Sequence, residues 1–242
     1  MQIGIWRVLF AVTTCKAYYE KTLPLFFRSL LDNGVPPGSI FCTLGGFEDF
    51  EEAKAVAEQL KSEYGIPNIL ASDHNSMEFG ALIDVVENPE YLNNFDYLFL
   101  FHDTCWVGDK FVEALTELMP KNQKPPTIAL RAKPSMNIGA YATDYLLAIK
   151  DKVMSFKNKS NDIEVLKKLK VYLVGAEDSL IQHFYGNFKD KAKKYKDRYE
   201  SGPLKNPFGS STRRQLLYFD YLDLYKAQSN FEGYASPMNI DL

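Results

Sequence analysis

The segment Tyr97-Leu98-Phe99-Leu100-Phe101 is apolar at every position and gives way at once to His102-Asp103-Thr104. A strand with one wet face alternates apolar and polar residues, whereas a strand covered on both faces has no need to. The run therefore reads as a strand buried on both sides, and this restricts the chain to folds in which helices cover a sheet from above and below. Other segments supply the pieces. Residues 8–13 form a strand-like run, followed by a helical pattern over 18–33 with Leu23, Phe26, Leu30 and Leu31 on one face and Gly34 as its stop. Residues 39–44 read as a strand ending in Gly45-Gly46. Residues 51–64 form a helix with Ala53, Val56, Ala57 and Leu60 inward and Gly65 beyond it. A short strand, 68–71, ends in Ser72-Asp73-His74-Asn75, and a helix over 78–87 leads into the first-named strand. A helix over 109–118 and a fifth strand over 127–131 follow.

This alternation predicts a mostly parallel sheet with helices on both faces, in which ligands bind outside the carboxyl ends of the strands. The clusters Thr13-Thr14, Gly45-Gly46, Asp73-His74-Asn75 and His102-Asp103-Thr104 all fall at those ends and are expected to line one concavity.

Composition narrows the class further. With 242 residues, 46% of them hydrophobic and 14% aromatic, the chain can bury a large core. A net charge of −3 offers no global field for nucleic acid. Three cysteines without a CxxC pair suggest neither a disulfide framework nor zinc, and the chain reads as cytoplasmic with reduced thiols. No apolar run approaches the length of a membrane span, and the N-terminus lacks a signal-peptide core.

Past residue 131 the alternation loosens. Met136-Asn137-Ile138-Gly139-Ala140 reads as a loop before a helix over 143–154. A lysine-rich stretch, 157–170, leads to a short strand over 170–174 and then to 175-GAEDSLIQHFYG-186. Residues 189–198 carry six basic residues against two acidic ones, as an exposed charged helix would. Residues 214–228 read as an aromatic helix. The expected organisation is a catalytic and nucleotide-binding unit over 1–186 and a C-terminal helical extension over 187–242 packed on it.

The order of elements, the strand-end carboxylate and the later Gly-Ala-Glu-Asp resemble the nucleotide-sugar glycosyltransferases of the GT-A fold, particularly the inverting kind. In that family a strand ends in Asp-x-Asp, often followed by Thr. Phe101-His102-Asp103-Thr104 keeps this frame with Phe101 in the first place, so the motif is degenerate and Asp103 is its surviving carboxylate. The family's Glu-Asp at the head of a helix matches Glu177-Asp178, and residues 75–83 sit where the family has a helix of the donor pocket. The resemblance implies a three-layer α/β/α sandwich around a mixed, mostly parallel sheet. It also implies a nucleoside-diphosphate sugar donor of UDP or GDP type, a glycan or other hydroxyl acceptor, and Mn²⁺ or Mg²⁺.

Glycosyl transfer leaves a nucleoside diphosphate whose developing charge must be stabilised, and a divalent cation on a carboxylate does this as a Lewis acid. Asp103 is the candidate metal ligand, with His102 as a substitute ligand or a donor to phosphate. The alternative for Asp103 is a turn in which it caps the following helix. Asp178 is the candidate general base for the acceptor hydroxyl, and Glu177 orients its loop. The bland reading of that pair is two carboxylates favoured in a helix first turn. Thr13 and Thr14 are placed to hydrogen-bond a base or ribose, Gly45 and Gly46 to admit a planar base, and Asp73, Asn75 and Glu78 to meet ribose or sugar hydroxyls. All three histidines lie in or beside strand-end motifs, but no HxH or HxxxH spacing supports a histidine metal cluster. Lys205, Arg213 and Arg214 are candidates to fold over a diphosphate from the C-terminal segment. The competing reading is a catalytically silent domain of the same fold that binds nucleotide or glycan. A sugar-nucleotide pyrophosphorylase is disfavoured, because Thr14-Cys15-Lys16 stands where a Gly-rich phosphate loop belongs.

Overall fold

The computed structural model describes residues 1–130, 138–162, 164–166, 168–169 and 214–229. At its centre is a mixed sheet with β2 (Trp6–Cys15), β3 (Ile40–Gly45), β4 (Asn68–Ala71), β5 (Tyr97–His102), β7 (Thr127–Ala129) and β8 (Gly139–Ala142). Their order across the sheet is β4-β3-β2-β5-β8-β7, with the short β1 (Gln2–Ile3) paired to β2. The pairs β2–β3, β3–β4 and β2–β5 are parallel. The pairs β5–β8 and β8–β7 are antiparallel.

Side chains alternate across the central strands, and each set meets its own helices. Val8, Phe10, Val12, Phe99 and Phe101 pack with α1 (Tyr19–Asp32), α2 (Phe50–Tyr64) and α4 (Phe111–Leu118). Leu9, Ala11, Leu98 and Leu100 pack with α3 (Gly80–Glu87), α5 (Thr143–Ala148) and α6 (Lys150–Met154). The result is the three-layer α/β/α sandwich that the apolar run over 97–101 requires. Local signals hold too. The Asp49 carboxylate accepts the Glu51 N–H at 2.9 Å to cap α2, and Gly65 closes that helix at φ 66°.

Three expectations need correction. The strand at 127–129 does not continue the parallel series, because β8 inserts between it and β5 and runs antiparallel to both. Residues 139–142, read as the approach to a helix, are that strand. Residues 214–229 are not an aromatic helix. They form a β-hairpin of β9 (Arg214–Phe219) and β10 (Leu224–Ser229), so this part of the expected helical extension is strand.

The hairpin docks on β6 (Cys105–Val107), which follows β5 after the turn Asp103-Thr104. Asp223, at φ 49°, makes the turn that allows this. Its carbonyl accepts the Gly108 N–H at 2.8 Å and its carboxylate accepts the Lys110 N–H at 3.0 Å, covering the start of α4. A Cβ on Gly108 would collide with that carboxylate, so glycine is needed for the close approach. Among the described residues, no helix is long and apolar enough to cross a membrane.

Candidate functional site

From β2 the chain moves outward to β3 and β4, then crosses back to β5 on the other side of β2. Such a switch point opens a crevice beyond the carboxyl ends of its two strands. Here those ends carry Thr14 and Asp103. Thr13 of β2 is in register with His102 of β5, so the residues that follow them sit side by side.

The Asp103 carboxylate is held from two elements. Its Oδ2 accepts the Thr14 hydroxyl at 2.8 Å and the Thr22 hydroxyl, from α1, at 3.3 Å. Thr22 also donates to the Tyr18 carbonyl at 3.0 Å, so its one hydrogen is shared between two acceptors. Part of Asp103 reaches solvent, but its carboxyl sits among protein atoms. Loss of hydration pushes it up to about 6, against the pull of the two threonine hydroxyls and the charge of Lys226.

Asp103 does not cap a helix: β6 follows it, and the N–H of Lys110, just before α4, is taken by Asp223 of the hairpin. Its surroundings also decide how well it fits a metal. A hard divalent cation needs carboxylate oxygens that are free to turn to it. Oδ2 is already engaged by hydroxyls, and the charge of Lys226 acts on the carboxyl as well. Among the described residues, no group of three Asp, Glu, His or Cys side chains converges there. The described donor set does not fit Mn²⁺ or Mg²⁺.

Thr13, one residue earlier, faces the opposite layer. Its hydroxyl accepts the Ala81 N–H at 2.7 Å and lies 3.4 Å from the Glu78 carbonyl, so it secures the start of α3. Glu78 itself is buried in the 3₁₀ turn Met77–Phe79. The space left by the glycines is filled from within. A Cβ on Gly45 would lie 2.6 Å from the His74 carbonyl oxygen, and one on Gly46, at φ +72°, would lie 2.9 Å from Asn75 Nδ2. Asn75 donates its side-chain amide to Asn161 Oδ1 at 3.1 Å. Asp73 is exposed, and a hydrogen bond from Lys159 at 2.5 Å, with Lys157 at 3.5 Å, holds its carboxyl below the usual range.

The structure thus brings Thr14, His102 and Asp103 together at the switch point. It gives Thr13, Gly45, Gly46 and Asn75 visible structural work around the Ser72–Asn75 loop and α3. Glu177 and Asp178 lie outside the described residues, as do His183, Lys205 and Arg213.

His74 is a structural residue. Asp84 of α3 accepts the Thr43 hydroxyl at 2.7 Å and the Ser72 hydroxyl at 3.3 Å, and lies 3.2 Å from His74 Nε2. Ser76 Oγ lies 3.0 Å from His74 Nδ1 and accepts the Asn158 N–H at 3.0 Å. Every bond is satisfied if Nε2 carries the histidine proton and Ser76 donates to Nδ1. His74, Ser76 and Asp84 are all buried, so the chain of bonds anchors a loop.

Two residues that act on Asp103, one by a hydroxyl and one by its charge, escape a reading of the sequence. Thr22 offers a faint signal, a hydroxyl inside the apolar stripe of α1. Lys226 offers none, because its place depends on a hairpin that the sequence disguises.

No family model matches the chain, and no curated protein matches it. Among solved structures, a crystal structure of S. aureus TarS 1-349 is similar with a TM-score of 0.38 at 11% identity, covering 60% of this chain and 49% of that one. A second crystal structure of S. aureus TarS gives a TM-score of 0.40 at 10% identity, covering 77% of this chain and 42% of that one. The chain thus spans less than half the length of either. Donor, acceptor and mechanism have to be argued from the strand ends.

Proposed function

We propose that this chain is a glycosyltransferase that moves a sugar from a nucleoside-diphosphate donor, of UDP or GDP type, to a hydroxyl of a glycan or similar acceptor. The observation that carries the reading is the meeting of Thr14 and Asp103 at the β2/β5 switch point, where an α/β sheet of this kind binds ligands. Thr14, His102 and Asp103 then border the diphosphate. In the inverting course that the sequence motif implies, Asp178 takes the acceptor proton as oxygen attacks the anomeric carbon opposite the leaving nucleotide, and Glu177 steadies the loop. Mn²⁺ or Mg²⁺ dependence, the family expectation, finds no support in the contacts of Asp103.

A specific observation favours the second reading, a domain that binds nucleotide or glycan without turnover. Phe101 replaces the first carboxylate of the motif and is fully buried, and Asp103 is engaged internally. Turnover separates the two. With UDP- and GDP-sugars and mixed glycan acceptors, the protein is expected to release nucleoside diphosphate faster than a blank. Binding without release would establish the silent domain, and an absence of both would remove the nucleotide-sugar reading.

A further inference from the structure

The C-terminal hairpin does more than cover an edge. Lys226 on β10 pairs with Cys105 on β6, and Cys105 follows Asp103 by two residues. Cross-strand partners project from the same face, and Cys105 is fully buried, so the lysine stem runs along a covered surface with only 9% of the residue exposed. Lysine rarely tolerates this without a carboxylate or another anion near its ammonium. Its place opposite Cys105 puts Lys226 beside the strand that follows Asp103, and its charge acts on both residues. The hairpin is fixed at several points. Tyr225 stacks on Trp106 at 5.2 Å and 7°, Tyr221 donates its hydroxyl to the Leu130 carbonyl at 2.5 Å, and Asp223 covers the start of α4.

We propose that Lys226, carried to the β2/β5 switch point by the C-terminal hairpin, is the cation that binds the donor's diphosphate, in place of a divalent metal. The proposal rests on the reading of this crevice as a nucleotide-sugar site. An ammonium is a compact point charge with three donors, suited to phosphate oxygens and needing no coordination shell. Asp103 then acts as its internal counter-ion, held by Thr14 and Thr22, which accounts for a carboxylate whose oxygen is turned to hydroxyls.

The test is calorimetric binding of inorganic pyrophosphate, UDP and GDP, each in excess EDTA and again with Mn²⁺, to the unmutated chain, Lys226→Met and Lys226→Arg. Trp106 fluorescence reports whether the hairpin stays docked, through its stack on Tyr225. Pyrophosphate is expected to bind equally with and without Mn²⁺. Its affinity should fall about ten- to a hundredfold in Lys226→Met, the usual span for a hydrogen bond to a charged group, and return largely in Lys226→Arg. Unchanged affinity in Lys226→Met with the hairpin docked would overturn the proposal, as would binding that appears only with Mn²⁺. Should Lys226→Met release the hairpin, the comparison of EDTA with Mn²⁺ on the unmutated chain decides alone. If pyrophosphate binds through Lys226 while UDP and GDP bind no better, the lysine site stands and the nucleotide-sugar reading falls. If nucleotides bind only with Mn²⁺ and equally well to Lys226→Met, the donor reading stands and the lysine site falls.

Discussion

Replacing Phe101 by aspartate is expected to unfold the protein rather than to complete a two-carboxylate metal motif. Phe101 is fully buried, with ring centroids 4.6 Å from Phe99, 5.3 Å from Phe26 and 6.0 Å from Phe111. Its side chain points into the layer of α1 and α4, one position before the strand reaches the crevice. Removing a buried Phe ring alone costs about 3–5 kcal/mol. The new carboxyl adds a desolvation cost even when protonated, since nothing in that aromatic cluster offers it a hydrogen bond. The sum, on the order of 5 kcal/mol or more, is comparable with the whole stability of a typical domain. Urea unfolding followed by circular dichroism reads the effect. Phe101→Leu, which keeps an apolar filling, should lose far less. A Phe101→Asp variant with a midpoint near that of the unmutated chain would mean that β5 does not face the core as described.

The second large effect is on turnover. If Asp178 is the general base, Asp178→Asn keeps the shape of the residue but removes proton acceptance, and transfer should fall about 10²–10⁴-fold. Nucleotide affinity should stay nearly unchanged, because the acceptor's proton has no part in holding the donor. Glu177→Gln should be milder. Transfer rate and nucleotide affinity, measured side by side for both variants, distinguish the possible roles. Retained transfer in Asp178→Asn would place the base elsewhere. Loss of nucleotide binding in both variants would make the pair structural, the two carboxylates serving only the first turn of a helix.

The central layers were legible because their signals are local. The apolar runs of β2 and β5, and the glycine at the close of α2, announce elements whose partners hardly matter to recognising them. The parallel arrangement follows from the alternation, and with it the meeting of Thr14 and Asp103 across 89 positions. The direction of each side chain was not legible. Thr13 and Thr14 read alike in the sequence, yet strand alternation sends one to α3 and the other to the crevice.

The elements that were missed depend on distant partners. β8 is Gly139-Ala140-Tyr141-Ala142, poor in strand-favouring side chains, and it exists because β5 and β7 pair with it on both sides. β6 is three residues long and acquires its ladder only when β10 arrives from the far end of the chain. The hairpin hides its own turn. Asp220-Tyr221-Leu222-Asp223 contains no Gly, Pro or Asn, and its apolar residues prolong a helix-like spacing, while Asp223 takes a left-handed φ of 49°. Lys226 comes to lie opposite Cys105 only through that hairpin. The hairpin also adds a lysine charge that acts on Asp103 from the far end of the chain.

The central claim is that the β2/β5 strand ends hold the donor nucleotide. Backbone hydrogen exchange with and without saturating UDP or GDP tests it most directly, since it locates the ligand without requiring turnover. Slower exchange is expected at residues 14–18, 102–105 and 224–226, the carboxyl ends of β2 and β5 and the strand that bears Lys226. Unchanged exchange in all three segments, or protection confined to other parts of the chain, would contradict the account.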